Sequence, residues 1–504
     1  MKAVLVLFDS LNRHMLGPYG GTRVQTPNFD RLAGRAVRFD AHHVGSLPCM
    51  PARRDLLTGR LSFLHRSWGP LEPFDDAFPE LLHSVGIYSH LVTDHFHYWE
   101  DGGATYHNRY DSYEFVRGQE GDPWKAMVQP HWERLREQYH SRQFTTKRRE
   151  YFSQNIINRE IIRDEADFPS VQCFDHGLDF LARNGDADGW FLQVETFDPH
   201  EPFHAPARFR EPFPTDWRGP VRDWPRYGRV DELPAECEEL RANYYAVVAL
   251  CDHQLGRLLD VFDARGLWRD TALVVTTDHG FLLGEHDFWA KNRMNLYQEV
   301  AHIPLFVHDP RAPAMPGEAS AALSQTMDLA ATLLDLFGAP LPPALEGLPL
   351  RALRDGTAGR DALLYGYFGG AVNVTDGRFT YHRYPADLRR QEINQYTLMP
   401  THIFSPFSTE ELAGARLAGP LPFTKGAPVL QVPVIERSPF FDVYGPGAML
   451  EDETRLYDLR ADPGQERPVA DPAQEARLAG IMARLMSANH APPEAFTRLA
   501  LPRG

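Results

Sequence analysis

Residues 46–60 read Ser46-Leu47-Pro48-Cys49-Met50-Pro51-Ala52-Arg53-Arg54-Asp55-Leu56-Leu57-Thr58-Gly59-Arg60. Pro51 suits the first turn of a helix. That places Cys49 at a helix N-terminus, where unpaired backbone N–H groups and the helix dipole stabilise negative charge. Arg53, one turn on, can aim its planar fork at the same oxygens. The alternative for Cys49 is a buried structural thiol, with Pro51 merely a helix start. The surroundings decide between the two.

Outward from this segment, strand-like and helix-like runs alternate, the pattern of an α/β fold with a mostly parallel central sheet and helices on both faces. The run Ala3-Val4-Leu5-Val6-Leu7-Phe8 predicts a buried first strand ended by Asp9. Thr26-Pro27 predicts a cap and a helix start. Helices are expected at 77–85, at 326–337 and, from a long apolar stripe, at 242–265. Strands are expected at 87–92, 190–195, 273–277 and 303–307. Residues 100–170 are charged, aromatic and weakly periodic, and predict an insertion over the site. From about residue 350, strand–turn–strand patterns such as 372–374, Asp376-Gly377 and 378–381 predict a short antiparallel sheet, with a helix at 473–487. Residues 385–450 read as a long ordered excursion. The expected division is a catalytic α/β domain over 1–350 and a smaller C-terminal α+β domain over 351–504.

The bulk numbers restrict the partners. The chain has 504 residues, 43% hydrophobic and 24% charged, with a net charge of -16. That charge excludes a nucleic-acid backbone as partner, and an anionic ligand would need a local cluster of Arg, Lys, His or metal. The four cysteines, Cys49, Cys173, Cys237 and Cys251, have neither zinc-site nor disulfide spacing. The last three read as reduced, buried thiols. No apolar run approaches the ~20 residues that span a bilayer, and no signal peptide is visible. The expectation is a cytoplasmic protein that does not enter a membrane.

In open α/β sheets, ligands bind beyond the carboxyl ends of the strands. Four segments put polar residues at such ends: Asp9, His95 with His97, Asp198-Pro199-His200, and Asp278-His279. Singly, each is more often a cap or a solvated loop residue. Together they mark a site.

The segment 46–60 resembles the signature of the sulfatase family, Cys-x-Pro-x-Arg followed by Leu-Thr-Gly-Arg. Thr277-Asp278-His279-Gly280 with Leu283-Gly284-Glu285-His286 resembles the family's second metal-binding segment, and Leu456-Tyr457-Asp458-Leu459 its closing strand. The resemblance implies the alkaline-phosphatase-like α/β sandwich. It also implies that Cys49 is oxidised to formylglycine by a formylglycine-generating enzyme. The hydrated aldehyde attacks sulfur and then expels sulfate. It implies a divalent cation held by Asp9, Asp278, His279 and modified Cys49, with Ca²⁺ first and Mn²⁺ or Mg²⁺ as alternatives. Arg53 and Lys291 would contact sulfate. His200 and His97 would take the family histidines' places at the ester oxygen.

Two departures stand out. Asp9 is followed by Ser10, not by a second acid. Ser10 could coordinate directly, act through water, or do neither. His95 stands where the family usually has a lysine, a titratable group in place of a permanent charge. It is read as substrate-binding. Asp278-His279 is also similar to phosphonate monoester hydrolases, the alternative enzyme reading. An inactive binding relative is the non-enzymatic rival, and the near-complete site set argues against it. The expected substrate is a small-molecule or saccharide sulfate ester. Aromatics in 96–115, 181–230 and 385–445 could line its pocket, although core packing explains most of them. A homo-oligomer is compatible with the sequence.

Overall fold

The structure, a computed structural model, describes residues 1–144, 151–438 and 440–503. Its centre is an eight-stranded sheet built from β1 (Lys2–Phe8), β2 (Val37–Phe39), β3 (Tyr88–Thr93), β4 (Ser112–Phe115), β5 (Trp190–Thr196), β6 (Thr271–Thr277), β7 (Leu305–His308) and β8 (Ala319–Ser320). The spatial order is β8-β2-β7-β6-β1-β5-β3-β4. The block β6-β1-β5-β3-β4 is parallel throughout. β1, β5 and β6 are buried along their whole lengths, which is why they read as mostly apolar runs. The last predicted strand, β7, pairs antiparallel with both β6 and β2.

Register sets the site. Phe8 at the end of β1 lies opposite Thr196 of β5 and Thr277 of β6. Thr93 of β3 lies opposite Glu195. Four parallel strands therefore end at one level, and Asp9, Asp94-His95, Asp198 and Asp278 follow within two residues. Apolar clusters cover both faces. One packs the long helix Pro234–Arg265 and the helix Pro169–Asn184 on the sheet, and the other packs the helices Cys49–Thr58, Phe78–Ser84 and Asp328–Phe337.

Two helix starts differ from expectation. The long helix begins at Pro234, eight residues before the predicted 242. Pro234 lacks the N–H that a first turn leaves unpaired, and the Glu236 carboxylate accepts the Leu233 N–H at 2.9 Å. The helix Pro27–Ala33 starts where Thr26-Pro27 predicts, but Thr26 does not cap it. The Thr26 hydroxyl accepts the Gly17 N–H at 2.8 Å. Asp252 of the long helix caps it instead, accepting the Asn28 and Phe29 N–H groups at 3.0 Å each.

The smaller C-terminal region carries the antiparallel strands Leu363–Tyr367, Val372–Thr375, Phe379–Arg383 and Arg455–Asp458, with the helix Pro472–Ala488. The short strand Ser46–Leu47, directly before Cys49, joins this sheet parallel to Leu363–Tyr367. The second sheet thus holds the base of the signature segment. Residues 385–450 form a further three-stranded sheet with short helices. Of the predicted insertion, β4 joins the central sheet and residues 145–150 lie outside the described ones. No helix among the described residues is long and apolar enough to cross a membrane. Cys49, Cys173, Cys237 and Cys251 are all free and buried.

Candidate active site

Cys49 is the first residue of the helix Cys49–Thr58, and the helix dipole points its positive end at the strand termini. Asp9, Cys49, Asp278 and His279 each bring a ligand atom within 4.8 Å of all the others, and all four are buried. Cys49 Sγ lies 3.2 Å from His279 Nε2 and 3.9 Å from Asp9 Oδ1. The His279 Nδ1 side meets the Gly280 carbonyl at 2.9 Å, which leaves Nε2 for the centre of the cluster.

Arg53 ties the cluster together. Its Nη2 donates to Asp9 Oδ2 at 2.9 Å, its Nη1 to Asp278 Oδ2 at 2.6 Å, and its Nε to Glu195 Oε1 at 2.6 Å. Lys291 Nζ lies 2.9 Å from Ser10 Oγ and 3.7 Å from Asp9 Oδ1. Two permanent cations thus serve three buried carboxylates, Asp9, Asp278 and Glu195. The remaining negative charge and the mixed O/N donor set fit one hard divalent cation.

The titration directions follow from these neighbours. Burial raises the Asp9 carboxyl, but Lys291 and Arg53 outweigh it and hold Asp9 well below the usual range. Burial pushes the Cys49 thiol well up, and Asp9 adds to this. For Lys291, burial favours the neutral amine, but Cys49, Asp9 and Glu201 outweigh it and raise its pKa. Ser10 sits at φ 62°. Its N–H donates to Asp278 Oδ1 at 3.0 Å, and its hydroxyl donates to Asp9 Oδ1 at 2.7 Å while accepting from Lys291. The side chain that breaks the usual acid pair thus links the lysine to Asp9.

The predicted histidines gather at the rim. His97 Nδ1 lies 2.6 Å from Glu100 Oε2, and its Nε2 lies 3.5 Å from Glu120 Oε2. His200 Nδ1 meets the Glu201 carbonyl at 2.6 Å, so its Nε2 is the free acceptor or donor. Burial and then Lys291 hold His200 well below its ordinary pKa. His95 is fully buried, with Nε2 3.9 Å from Asp9 Oδ2. Burial, then Arg53 and His97, hold it well down. Every predicted site residue therefore lies in or beside one cluster.

Sequence reading missed four residues that the structure adds. Glu195 takes Arg53 and the Tyr98 hydroxyl, the latter at 3.1 Å. Its signal was visible: Gln193 and Glu195 alternate on a strand that is otherwise apolar. Glu120, Glu201 and Tyr227 sit in loops without a pattern to betray them.

Residues 2–339 match the family model described as Sulfatase. The chain belongs to the sulfatase family. It is a hydrolase of sulfuric esters. An arylsulfatase of Clostridium perfringens is 24% identical over 69% of this chain and 77% of its own length. A choline-sulfatase of Rhizobium meliloti is 24% identical over 75% of this chain and 77% of its own. One solved structure, in complex with its substrate D-glucosamine-2-N,6-O-disulfate, superposes with TM-score 0.66 at 16% identity, covering 97% of this chain and 98% of that one. The phosphonate monoester hydrolase of Agrobacterium radiobacter superposes with TM-score 0.63 at 19% identity, covering 97% and 96%. These superpositions show the alkaline-phosphatase-like fold.

Proposed function

We propose that the chain hydrolyses sulfate monoesters, saccharide sulfates among them, at a formylglycine derived from Cys49 beside one divalent cation. The observation that carries the reading is the buried quartet of Asp9, Cys49, Asp278 and His279, with Arg53 and Lys291 against it. Asp9, Asp278, His279 and the modified residue 49 would hold the cation, Ca²⁺ first and Mn²⁺ or Mg²⁺ as alternatives. When bound, the cation supplies Lewis-acid polarisation of the sulfuryl oxygens and lowers the pKa of a nearby hydroxyl. Formylglycine at residue 49 supplies a geminal diol, one oxygen to attack sulfur and the other to release sulfate.

The chain's own residues do the rest. Arg53 and Lys291, both buried, neutralise charge that grows on the sulfuryl oxygens. The N-terminus of helix Cys49–Thr58 adds its dipole. His200, with Nδ1 held by a backbone carbonyl, presents Nε2 to the ester oxygen; it gains a proton there from solvent as the anionic ester binds and passes that proton to the leaving alcohol. His97, held by Glu100, binds the same oxygen. His95 backs the sulfuryl pocket. Maturation requires a formylglycine-generating enzyme in the host. We place the protein in the cytoplasm, consistent with four free cysteines, and assign the chemistry to residues 1–350.

The test is protein from its native host. Mass analysis of the peptide carrying Cys49 is expected to show aldehyde in place of thiol. Turnover of aryl and saccharide sulfates should follow that aldehyde content, cease on chelation and return with Ca²⁺, Mn²⁺ or Mg²⁺. Full sulfatase activity from protein with intact Cys49 thiol would overturn the reading.

A further inference from the structure

Beside the quartet stands a cation that the reaction as drawn does not use. Arg293 follows Lys291 by two residues, and the two share the ring of Tyr227. The Lys291 ammonium lies 5.9 Å and the Arg293 guanidinium 5.8 Å from its centroid. Tyr227 itself hydrogen-bonds Glu201 and is close enough to Cys49 to feel its charge. Lys291 faces Asp9 at 3.7 Å. Arg293 pairs with no carboxylate among the described residues. Its Nη1 donates to the Asn292 and Val443 carbonyls at 3.3 and 2.8 Å, while its Nε and Nη2 reach no acceptor among those residues. Carbonyls satisfy hydrogen bonds but leave the charge unneutralised. In a chain of net charge -16, a half-buried guanidinium has thus been kept apart from acids.

Two further donors stand in the same wall. Tyr367 ends the strand Leu363–Tyr367 opposite Leu47, two residues before Cys49. It is buried, its hydroxyl has no hydrogen-bond partner among the described residues, and Arg293 and Tyr444 are its electrostatic neighbours. Trp68 stacks on Tyr444 at 4.1 Å and meets the His97 ring edge-on at 5.3 Å. Its indole N–H is likewise buried and unpartnered. The wall therefore runs from His97 through Trp68, Tyr444 and Arg293 to Tyr227 beside Lys291. The Leu450 N–H, donating to the Arg293 carbonyl at 2.6 Å, fixes the backbone that carries the guanidinium.

The chemistry of the donors narrows their purpose. A guanidinium carries five N–H donors and no acceptor, and its planar edge matches two oxygens of one oxyanion. The sulfate that is cut already has Arg53 and Lys291. What Arg293 lacks is a second oxyanion, brought by the other half of the ester. We propose that Arg293, with the Tyr367 hydroxyl, is a specificity-determining anion subsite that selects alcohols carrying a carboxylate or a further sulfate apart from the ester that is cut. The inference rests on the sulfate-ester reading above and names its substrate class: sulfate esters of acidic saccharides.

The experiment compares kcat/KM for a hexose sulfate, the matching uronic acid sulfate and the matching hexose disulfate, with the cut ester at each ring carbon in turn and p-nitrophenyl sulfate as reference. The better of the two acidic esters should exceed the neutral one by about 10-fold or more, the scale of a charge-assisted bidentate pair. The uronate ahead assigns a carboxylate to the subsite, and the disulfate ahead assigns a second sulfate. Arg293→Gln should lower the acidic-to-neutral ratio at least about 10-fold, and Arg293→Lys should keep part of it. Tyr367→Phe removes a hydroxyl that has no protein partner, so it should not lower the melting temperature, yet it should lower the same ratio about 3-fold or more. An acidic-to-neutral ratio unmoved in folded Arg293→Gln would overturn the inference. If that variant does not fold, Tyr367→Phe decides by the same ratio. Turnover of p-nitrophenyl sulfate alone, or of all three saccharides equally, would overturn the subsite and leave the parent reading standing. No turnover of any sulfate would remove both.

Discussion

Two groups of buried histidines sit in this molecule, and their neighbours differ. His95, His97, His200 and His279 ring the strand ends. His42, His43 and His302 pack where the strand His42–His43 meets Ser324–Gln325. His43 and His302 stack at 4.6 Å, His42 bonds Ser324 at 3.0 Å, and His302 bonds Gln298 and the Asp40 carbonyl at 2.8 and 2.7 Å. Burial lowers the pKa of His42, His43 and His302, as it does for His95, His200 and His279. Solvent exclusion alone therefore does not mark a site. The packing group has the cations Arg13 and Arg360 as charged neighbours, which oppose a proton further. The strand-end group has cations beside it too, Arg53 and Lys291, but it also faces Asp9, Glu100, Glu120, Glu201 and Asp278. Those acids let an imidazole gain or lose a proton when an anion arrives. The group of His42, His43 and His302 can only pack.

The comparison breaks hardest at Cys49, the proposed nucleophile. Cys49→Ala should lower kcat/KM by at least ~10³ while leaving the melting temperature near that of the parent, since a small side chain is exchanged for one slightly smaller. Near-normal turnover in a folded Cys49→Ala would place the chemistry elsewhere. The next largest effect separates the two rim histidines. His200→Ala should cost ~10² or more on esters with poor leaving groups and far less on activated aryl sulfates, as expected when a proton donor is lost. His97→Ala should cost all esters alike if it only binds. A flat leaving-group series for His200→Ala would reduce that residue to a binding role too.

The packing group is tested by stability. His43 falls to about 4 through burial, with Arg13 adding, against about 6.5 in the unfolded chain. Its folded pKa is depressed, so its stabilisation is full above about pH 6.5 and is lost as pH falls through about 4. The shift corresponds to roughly 3 kcal/mol. Asp55, pushed up to about 7 by burial, acts in the opposite sense: its contribution is present at low pH and is lost as pH rises through 7. A difference measurement therefore isolates the histidine. His43→Gln should flatten the pH dependence of unfolding free energy between pH 6.5 and 4 and keep kcat/KM within about 3-fold. An unchanged slope would mean that His43 already carries a proton when folded.

Much of this was legible beforehand because it rests on local rules. The runs at 3–8, 190–195 and 273–277 are mostly apolar and buried along their lengths, the mark of central parallel strands. Cys49, Asp9, Asp278 and His279 follow strand ends or open a helix, so their meeting could be inferred from sequence order. What stayed hidden depends on distant partners. Asp252 caps a helix more than 220 residues away in sequence. The pairing of Ser46–Leu47 with Leu363–Tyr367 joins segments far apart in sequence. Glu120 lies in a loop whose conformation comes from Asp122 and Asn155 rather than from any repeat. Cross-chain hydrogen bonds carry no periodicity, and periodicity is what a single sequence displays.

The smallest expected effect concerns the group transferred. A sulfate monoester and a phosphonate monoester each carry one negative charge, so gross electrostatics cannot separate them. They differ in how charge spreads over the oxygens and in the carbon substituent that a phosphonate must lodge beside the cation. His95, in place of a lysine, is fully buried and held well below its ordinary pKa by burial and Arg53. On the proposed placement of His95, less positive charge then faces the sulfuryl oxygens, which weakens specialisation for sulfate. Arg53 and Lys291 remain, and so does the complete Cys49 signature. The expected outcome is preference for sulfate esters with measurable side activity on phosphonate monoesters. The comparison needs matched leaving groups, saturating cation and quantified formylglycine. A kcat/KM ratio favouring the phosphonate by more than ~10-fold, about 1.4 kcal/mol of transition-state binding, would reverse the order of the two substrates. Such a reversal would assign His95 to making room for the phosphonate's carbon, leaving the strand-end comparison intact.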